Sequence, residues 1–200
     1  MSVVIFITHP EVVIDPAVPV PRWPLSATGR ARMEAFADVL AGRPVAAVWS
    51  SDEQKALDGA AILAGRLGAP HHVDEGLGEN DRSSTGYIAP PEFWEVVDQF
   101  FADPDTSVRG WETARHAQAR IVSALGGVDA RSPEGVVLVV SHGGVGALLT
   151  AHLQGVAIGR EDRPGHAGGG CYLVIDRDPL RLRDNWRAVE DSDAALGTWG

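Results

Sequence analysis

The chain has 200 residues, of which 44% are hydrophobic and 22% are charged, as is usual for a soluble globular protein. Its formal net charge of −10 disfavours nucleic acid and anionic membranes as partners, because both attract basic surfaces. Cys171 is the one cysteine, which excludes an internal disulfide. No apolar run is long enough for a membrane helix, and the N-terminus lacks signal-peptide features. We therefore expect a single cytoplasmic domain over residues 1–200.

Short apolar runs alternate with segments of helical periodicity along the chain. The runs at 3–7, 45–49 and 136–140 are rich in β-branched residues and predict buried strands. Two further strands are predicted near the end, at 171–175 and 182–186. This alternation predicts an α/β fold with a mostly parallel open sheet and helices on both faces. Helices are predicted from Ser26 or Thr28 to about Leu40, from Ser51 or Asp52 to Leu67, from Pro91 to Phe101, from Thr113 to Leu125 and from about Gly144 to Leu153.

A histidine follows each of two predicted strands. His9 comes just after the run at 3–7, and His142 just after the run at 136–140. Open α/β sheets bind their ligands at the carboxyl ends of the strands, so we expect both histidines in one site. The segment 76–91 is rich in turn residues and predicts a long loop, of a length that is often functional in compact domains.

Six segments stand in an informative order along the chain. Two contain the histidines: Thr8-His9-Pro10-Glu11 and Ser141-His142-Gly143-Gly144. The others are Pro24-Leu25-Ser26-Ala27-Thr28-Gly29, Ser50-Ser51-Asp52-Glu53-Gln54-Lys55-Ala56, Leu77-Gly78-Glu79 and Gly110-Trp111-Glu112-Thr113. As an ordered set they resemble the motifs of the histidine phosphatase superfamily, also called phosphoglycerate-mutase-like, in which the first motif is Arg-His-Gly-Glu and the Ser-Ser motif is Ser-Ser-x-x-x-Arg-Ala.

The resemblance implies a phosphoglycerate-mutase-like fold and hydrolysis of phosphomonoesters through a phosphohistidine, without a metal or a cofactor. It implies that neutral His9 is the nucleophile and that protonated His142 stabilises the charge of the transition state. Glu79 would protonate the leaving oxygen and then activate water. The implied partner is a small phosphorylated molecule; the sequence identifies neither that molecule nor the oligomeric state.

The resemblance also implies a set of phosphate contacts, several of them altered. Two family arginines that clamp phosphate are replaced here by Thr8 and Lys55, and lysine does not form the bidentate contacts of a guanidinium. At the first histidine motif, Pro10 stands in place of glycine and donates no N–H. Ser141 and Gly143 are expected to bind phosphate at a helix N-terminus.

Two loop arginines are candidates to replace the lost positive charge. We expect that Arg22 or Arg82 reaches the pocket and restores part of the clamp that Thr8 lacks. Because Thr8 and Pro10 depart from the family motif, a second function stays open: a degenerate, non-catalytic relative that binds a phosphorylated ligand or a protein partner.

Three further features allow more than one interpretation. Glu79 is either the acid of the site or a solvated loop carboxylate. Glu112 is either a second acid in the pocket or a carboxylate favoured at the start of a helix. The run Gly168-Gly169-Gly170 favours a turn into the next strand over a phosphate-binding loop, because no Gly-Lys-Ser follows it.

Overall fold

A mixed sheet organises residues 2–159 and 168–192, the part of the chain described by the computed structural model. In this part its strands are β1 (Val3–Thr8), β2 (Val45–Ser50), β3 (His71–Val73), β4 (Val136–Ser141), β5 (Cys171–Asp176) and β6 (Arg181–Ala188), in the order β3-β2-β4-β1-β5-β6. The strands β1 to β4 pair in parallel, whereas β5 pairs antiparallel with both β1 and β6. The predicted mostly parallel sheet is confirmed, and the two last strands form its antiparallel edge.

Helices cover both faces of the sheet, as predicted. The helices are α1 (Ala27–Val39), α2 (Gln54–Leu67), α3 (Glu92–Ala102), α4 (Ala114–Arg131) and α5 (Gly143–Gln154). Every residue of β1 and β4 is buried, and neighbours such as Ile5 and Phe6 point to opposite faces. Ile5 packs with α1 and α2, and Phe6 with α3, α4 and α5. No helix of the described ranges has the length and hydrophobicity to cross a membrane.

The helix boundaries differ from the predictions where side chains have other partners. Ser26 caps α1 as expected, since its side chain accepts the N–H of Gly29 at 3.0 Å. The predicted cap of α2 by Ser51 or Asp52 is wrong, because Glu53 holds the capping position and the Ser51 hydroxyl faces a histidine. The prediction for α4 ended too early, at Leu125; its buried stripe continues past that residue.

Candidate active site

The two predicted site histidines leave the sheet side by side. Thr8 and Ser141 are paired residues at the ends of β1 and β4, and the N–H of His9 donates to the Ser141 carbonyl at 3.0 Å. The ring centroids of His9 and His142 are 5.2 Å apart, with the ring planes at 67°. The parallel pairing of two strands therefore brings together residues far apart in sequence.

His9 has the protonation state that a nucleophile requires. Its Nδ1 lies 2.9 Å from the Pro10 carbonyl oxygen, which only accepts hydrogen bonds, so Nδ1 carries the hydrogen and Nε2 the lone pair. Burial, with His142 and Lys55 nearby, lowers the pKa of His9 to about 3. The imidazole is therefore neutral around pH 7, with Nε2 free to attack an electrophile.

This low pKa predicts a pH-dependent stability. An unfolded histidine protonates near its ordinary pKa of 6.5, whereas His9 in the folded chain stays neutral down to about 3. As the pH falls through this window the unfolded state binds more protons, so the free energy of unfolding decreases by up to about 1.4 kcal/mol per pH unit. We expect a shallower decrease in His9→Asn, measured by urea unfolding at several pH values. The exposed His152 supplies the control: His152→Asn should keep the wild-type slope, and equal slopes in wild type and His9→Asn would contradict the assignment.

His142 is fully buried at the position just before α5. Its Nε2 lies 2.8 Å from the Ser51 hydroxyl and 3.3 Å from Oε1 of Glu53. Its Nδ1 has no hydrogen-bond partner among the described residues. Burial lowers the pKa of His142, so the free site holds a neutral ring with one unsatisfied nitrogen.

Glu79 occupies the N-terminus of α5. Its Oε2 accepts the N–H of Gly144 at 3.0 Å, and its Oε1 accepts the N–H of Val145 at 2.9 Å. Burial alone would raise the pKa of Glu79, but Arg82, His142 and the Gly144 N–H outweigh it and hold the pKa below its usual range. The carboxylate is therefore ionised, and part of the predicted anion site at this helix end already holds an internal anion.

The close approach of Glu79 requires a glycine in α5. A Cβ at Gly144 would lie 2.6 Å from Oε1 of Glu79, whereas a Cβ at Gly143 would meet nothing within 4 Å. We expect Gly144→Ala to lower the free energy of unfolding by about 1–3 kcal/mol through overpacking. Gly143→Ala is the matched control and should be neutral or stabilising in the same urea titration, because alanine favours helix. Equal losses in both variants would show that Glu79 does not cap α5.

Two of three further residues predicted to bind phosphate have other contacts. The Ser141 hydroxyl donates to the Leu77 carbonyl at 2.7 Å and fastens the loop that precedes Glu79. The Thr8 hydroxyl accepts the Cys171 N–H at 3.0 Å and joins β1 to β5. Gly143 is the first residue of α5 and has open space beside its Cα. Phosphate binding by these three residues stays a prediction, which the two hydroxyl contacts do not favour.

Lys55 has a buried acidic partner that the sequence did not single out. The ammonium donates to the Val20 carbonyl at 3.0 Å and forms an ion pair with Glu53. Glu53 also accepts the Glu79 N–H at 2.9 Å. Burial alone would raise the pKa of Glu53, but His142 and Lys55 outweigh it and hold the pKa below its usual range. The charge of Lys55 is thus shared with a carboxylate at a motif position where any residue is allowed.

Of the two candidate arginines, Arg82 contributes charge to the site. Its guanidinium lies 3.7 Å from Oε2 of Glu79 and over the rings of Phe93 and Trp111, 5.4 and 5.5 Å from their centroids. Arg22 is exposed, in a 3₁₀ turn beside the Val20 carbonyl that Lys55 contacts. Restoration of the lost clamp by either arginine stays a prediction.

Arg120 supports the Glu79 loop and was missed by the sequence analysis. It donates to the carbonyls of Gly76 and Gly78 at 2.9 Å each and of Glu79 at 3.1 Å. Glu112 pairs with this guanidinium at 2.8 Å. The interpretation of Glu112 as a second pocket acid is therefore not supported; its carboxylate holds Arg120 in place. The sequence could not predict this role, because no motif links an arginine on the buried side of a helix to a loop that is distant in sequence.

The glycine run forms a turn against the backbone of His9, as the sequence favoured. Gly168, Gly169 and Gly170 all have positive φ, at 86°, 73° and 68°. A Cβ at Gly169 would lie 2.2 Å from the His9 carbonyl oxygen, and the Gly170 N–H donates to that same oxygen at 3.2 Å. The turn leads into β5 and helps to fix the backbone that carries His9.

The sequence matches the family model described as histidine phosphatase superfamily (branch 1) over residues 20–183. This span includes Lys55, Glu79 and His142 but begins after His9, whose place in the site depends on the pairing of β1 with β4. A comparison with curated protein sequences gives no match.

Solved structures with the same fold include three bacterial proteins. YhfR from Bacillus stearothermophilus has a TM-score of 0.78 and 21% identity, covering 92% of this chain and 96% of its own. A mycobacterial glucosyl-3-phosphoglycerate phosphatase in complex with VO3 has a TM-score of 0.73 and 25% identity, covering 94% and 100%. The alpha-ribazole phosphatase from Shigella flexneri has a TM-score of 0.65 and 20% identity, covering 92% and 95%.

Proposed function

Because the chain belongs to the histidine phosphatase superfamily, we propose that it hydrolyses phosphomonoesters and that His9 carries the phosphoryl group as a phosphohistidine. One observation carries the proposal: a neutral imidazole with a free Nε2 lies 5.2 Å, between ring centroids, from a second buried imidazole at the carboxyl edge of the sheet. Fold relatives named for glucosyl-3-phosphoglycerate and alpha-ribazole phosphatases support a small phosphorylated molecule as substrate.

In the first half of the reaction, Nε2 of His9 attacks phosphorus and the bond to the leaving oxygen breaks. Charge on the phosphoryl oxygens increases in the transition state, and donors aimed at these oxygens stabilise it. His142 supplies such a donor when Nδ1, the nitrogen without a partner among the described residues, is protonated.

In the second half, water attacks the phosphohistidine and the bond between phosphorus and nitrogen breaks. Glu79 is in the protonation state that can accept the proton of this water, because Arg82, His142 and a backbone N–H hold its pKa below the usual range and keep it ionised. The same ionisation means that Glu79 brings no proton to the leaving oxygen in the free site. Aryl esters depart without protonation, so they test the role of His9 independently of Glu79.

From the charges of the site we expect a modest affinity for a phosphate group that has no other contacts with the protein. Lys55 and Arg82 provide two positive charges, and each lies close to a carboxylate, Glu53 or Glu79. This compensation is consistent with the loss of the arginine clamp. No observation specifically favours the non-catalytic alternative, and two of the three named fold relatives carry the name phosphatase.

The proposal is tested by assaying p-nitrophenyl phosphate hydrolysis from acid to neutral pH with wild-type protein and His9→Ala. We expect saturable release of nitrophenol by the wild type alone. Equal, background-level rates in both proteins at every pH would contradict the proposed function.

A further inference from the structure

The two ring nitrogens of His142 have different surroundings. Nε2 lies 2.8 Å from the Ser51 hydroxyl and 3.3 Å from Oε1 of Glu53, whereas Nδ1 has no partner among the described residues. An ionised carboxylate only accepts hydrogen bonds, so the nitrogen facing Glu53 carries the hydrogen. Ser51 can accept it too, and its Oγ already accepts the Glu53 N–H at 3.3 Å. The neutral ring therefore has its lone pair on Nδ1.

The carboxylate of Glu53 is held against the ring from two other sides. It forms the ion pair with Lys55, and it accepts the Glu79 N–H at 2.9 Å. Only 11% of its side chain is exposed, so water screens it little. Glu53 is thus a fixed negative charge beside Nε2.

A buried nitrogen with no partner is costly unless a ligand satisfies it. Nδ1 of His142 lies in a ring that contacts the ring of the proposed nucleophile. A phosphoryl group bound for attack by His9 would bring oxygens to this region. A singly protonated phosphomonoester would also bring the hydrogen that Nδ1 lacks.

We infer that Glu53 is a positioning residue, which sets the tautomer of His142 so that Nδ1 receives the proton of a singly protonated phosphomonoester. The inference deepens the proposed function and rests on it. The proton moves from the P–OH group to Nδ1, and the imidazolium then donates back to the doubly charged phosphoryl group. Glu53 stabilises the new positive charge from the opposite nitrogen. The substrate supplies the only proton needed, and phosphomonoesters lose it near pH ~6.

The charges around His142 are balanced, so the charge of Glu53 decides whether the imidazolium is favourable. Two carboxylates favour the imidazolium and two cations oppose it, while burial favours the neutral ring. Removing one carboxylate leaves the cations in excess and the imidazolium unfavourable. Among the described residues, the groups that face the ring are Glu53 just before α2, Lys55 in its first turn, Glu79 and Arg82 of the loop after the 3₁₀ turn Glu75–Leu77, and His9 after β1.

The test is a ¹⁵N NMR measurement on the full chain with labelled histidine, with the His142 signals assigned through their loss in His142→Asn. In the wild type we expect the Nε2–H tautomer, and saturating inorganic phosphate should convert the ring to the imidazolium. In Glu53→Gln the phosphate complex should release the Nδ1 proton at least about tenfold more readily, one pKa unit. The matched control is Asp52→Asn, which neutralises the exposed carboxylate one residue earlier and should behave as wild type.

Activity gives an independent readout. In Glu53→Gln, kcat for p-nitrophenyl phosphate should fall at least about tenfold, as when a carboxylate that orients a histidine is removed. KM should not rise, because Lys55 is released from its ion pair and becomes available to phosphate. The alkaline limb of the kcat profile, which reports the enzyme–substrate complex, should move to lower pH, a shift that a merely structural loss would not cause.

Three results would overturn the inference: the Nδ1–H tautomer in the wild type, no protonation of His142 by phosphate, or the same protonation in Glu53→Gln. The first two do not depend on Glu53→Gln and hold even if that variant does not fold. The spectra require no turnover, so they separate this inference from the proposed function. A protein that shows the expected tautomer and protonation but hydrolyses nothing would contradict the function alone.

Discussion

Replacing His9 with alanine is expected to lower kcat for p-nitrophenyl phosphate by at least about a thousandfold, because loss of the proposed covalent nucleophile removes the proposed route itself. The neighbouring described histidine does not substitute for the neutral Nε2 of His9, because Nε2 of His142 bears the hydrogen that faces Ser51 and Glu53. The measurement is steady-state release of nitrophenol, with the protein concentration high enough to detect the residual rate.

Two controls separate this loss from unfolding. His152→Ala removes an exposed imidazole from α5 and should leave kcat unchanged. The melting temperature of His9→Ala should stay close to that of the wild type, because within the described ranges the half-buried ring makes one hydrogen bond, to the carbonyl of the next residue. A His9→Ala protein that is folded and retains a tenth of the wild-type kcat would show that another group attacks phosphorus.

The largest expected effect on stability comes from Lys55. Its side chain is 4% exposed and that of Glu53 is 11% exposed, so Lys55→Met leaves a carboxylate buried without its ammonium partner. Breaking a buried ion pair from one side costs about 3–5 kcal/mol, and we expect the free energy of unfolding in urea to fall by that amount. The deficit should shrink as the pH falls and Glu53 becomes protonated, since Lys55 helps to hold the Glu53 pKa below its usual range.

A double-mutant cycle isolates the pair. In the Lys55→Met/Glu53→Gln protein the buried charge is gone, so the double variant should be more stable than Lys55→Met alone. Additive losses would mean that the two side chains act independently and that Glu53 is neutral in the folded protein. Lys55→Arg keeps the charge and should lose less stability than Lys55→Met.

The sheet and its two histidines could be predicted because their signals are local. Continuous β-branched runs are typical of parallel strands buried on both faces, and a histidine directly after such a run lies at the ligand-binding edge. The position of the first helix cap at Ser26 is equally local. Nothing beyond the order of residues along the chain was needed for these conclusions.

The partners of the site residues could not be predicted in the same way. Three of the site residues stand at motif positions, but the sequence does not show which atoms their polar groups contact. Ser141 contacts Leu77 and Thr8 contacts Cys171, and Lys55 pairs with Glu53. The contacts of Ser141 and Thr8 arise from packing between segments that are distant in sequence. Glu53 is close to Lys55 in sequence, but it stands at a motif position where any residue is allowed.

For Glu79, the sequence predicts the position in the chain but not the protonation state. Its loop position was evident in the sequence, but its protonation state depends on Arg82 and on the N-terminus of α5. Only the folded chain shows that this carboxylate is an ionised cap, better suited to activating water than to protonating a leaving group.

The most direct test of the account is to trap the phosphorylated protein. Glu79→Gln should slow the attack of water while leaving the attack of His9 on an aryl ester possible, so the intermediate should accumulate. We would mix this variant rapidly with p-nitrophenyl phosphate, quench in alkali and locate the phosphoryl group by peptide mass spectrometry. The account predicts a burst of nitrophenol and one phosphoryl group on His9 per chain. A variant that releases nitrophenol while His9 stays unmodified, or that carries the group on another residue, would contradict it.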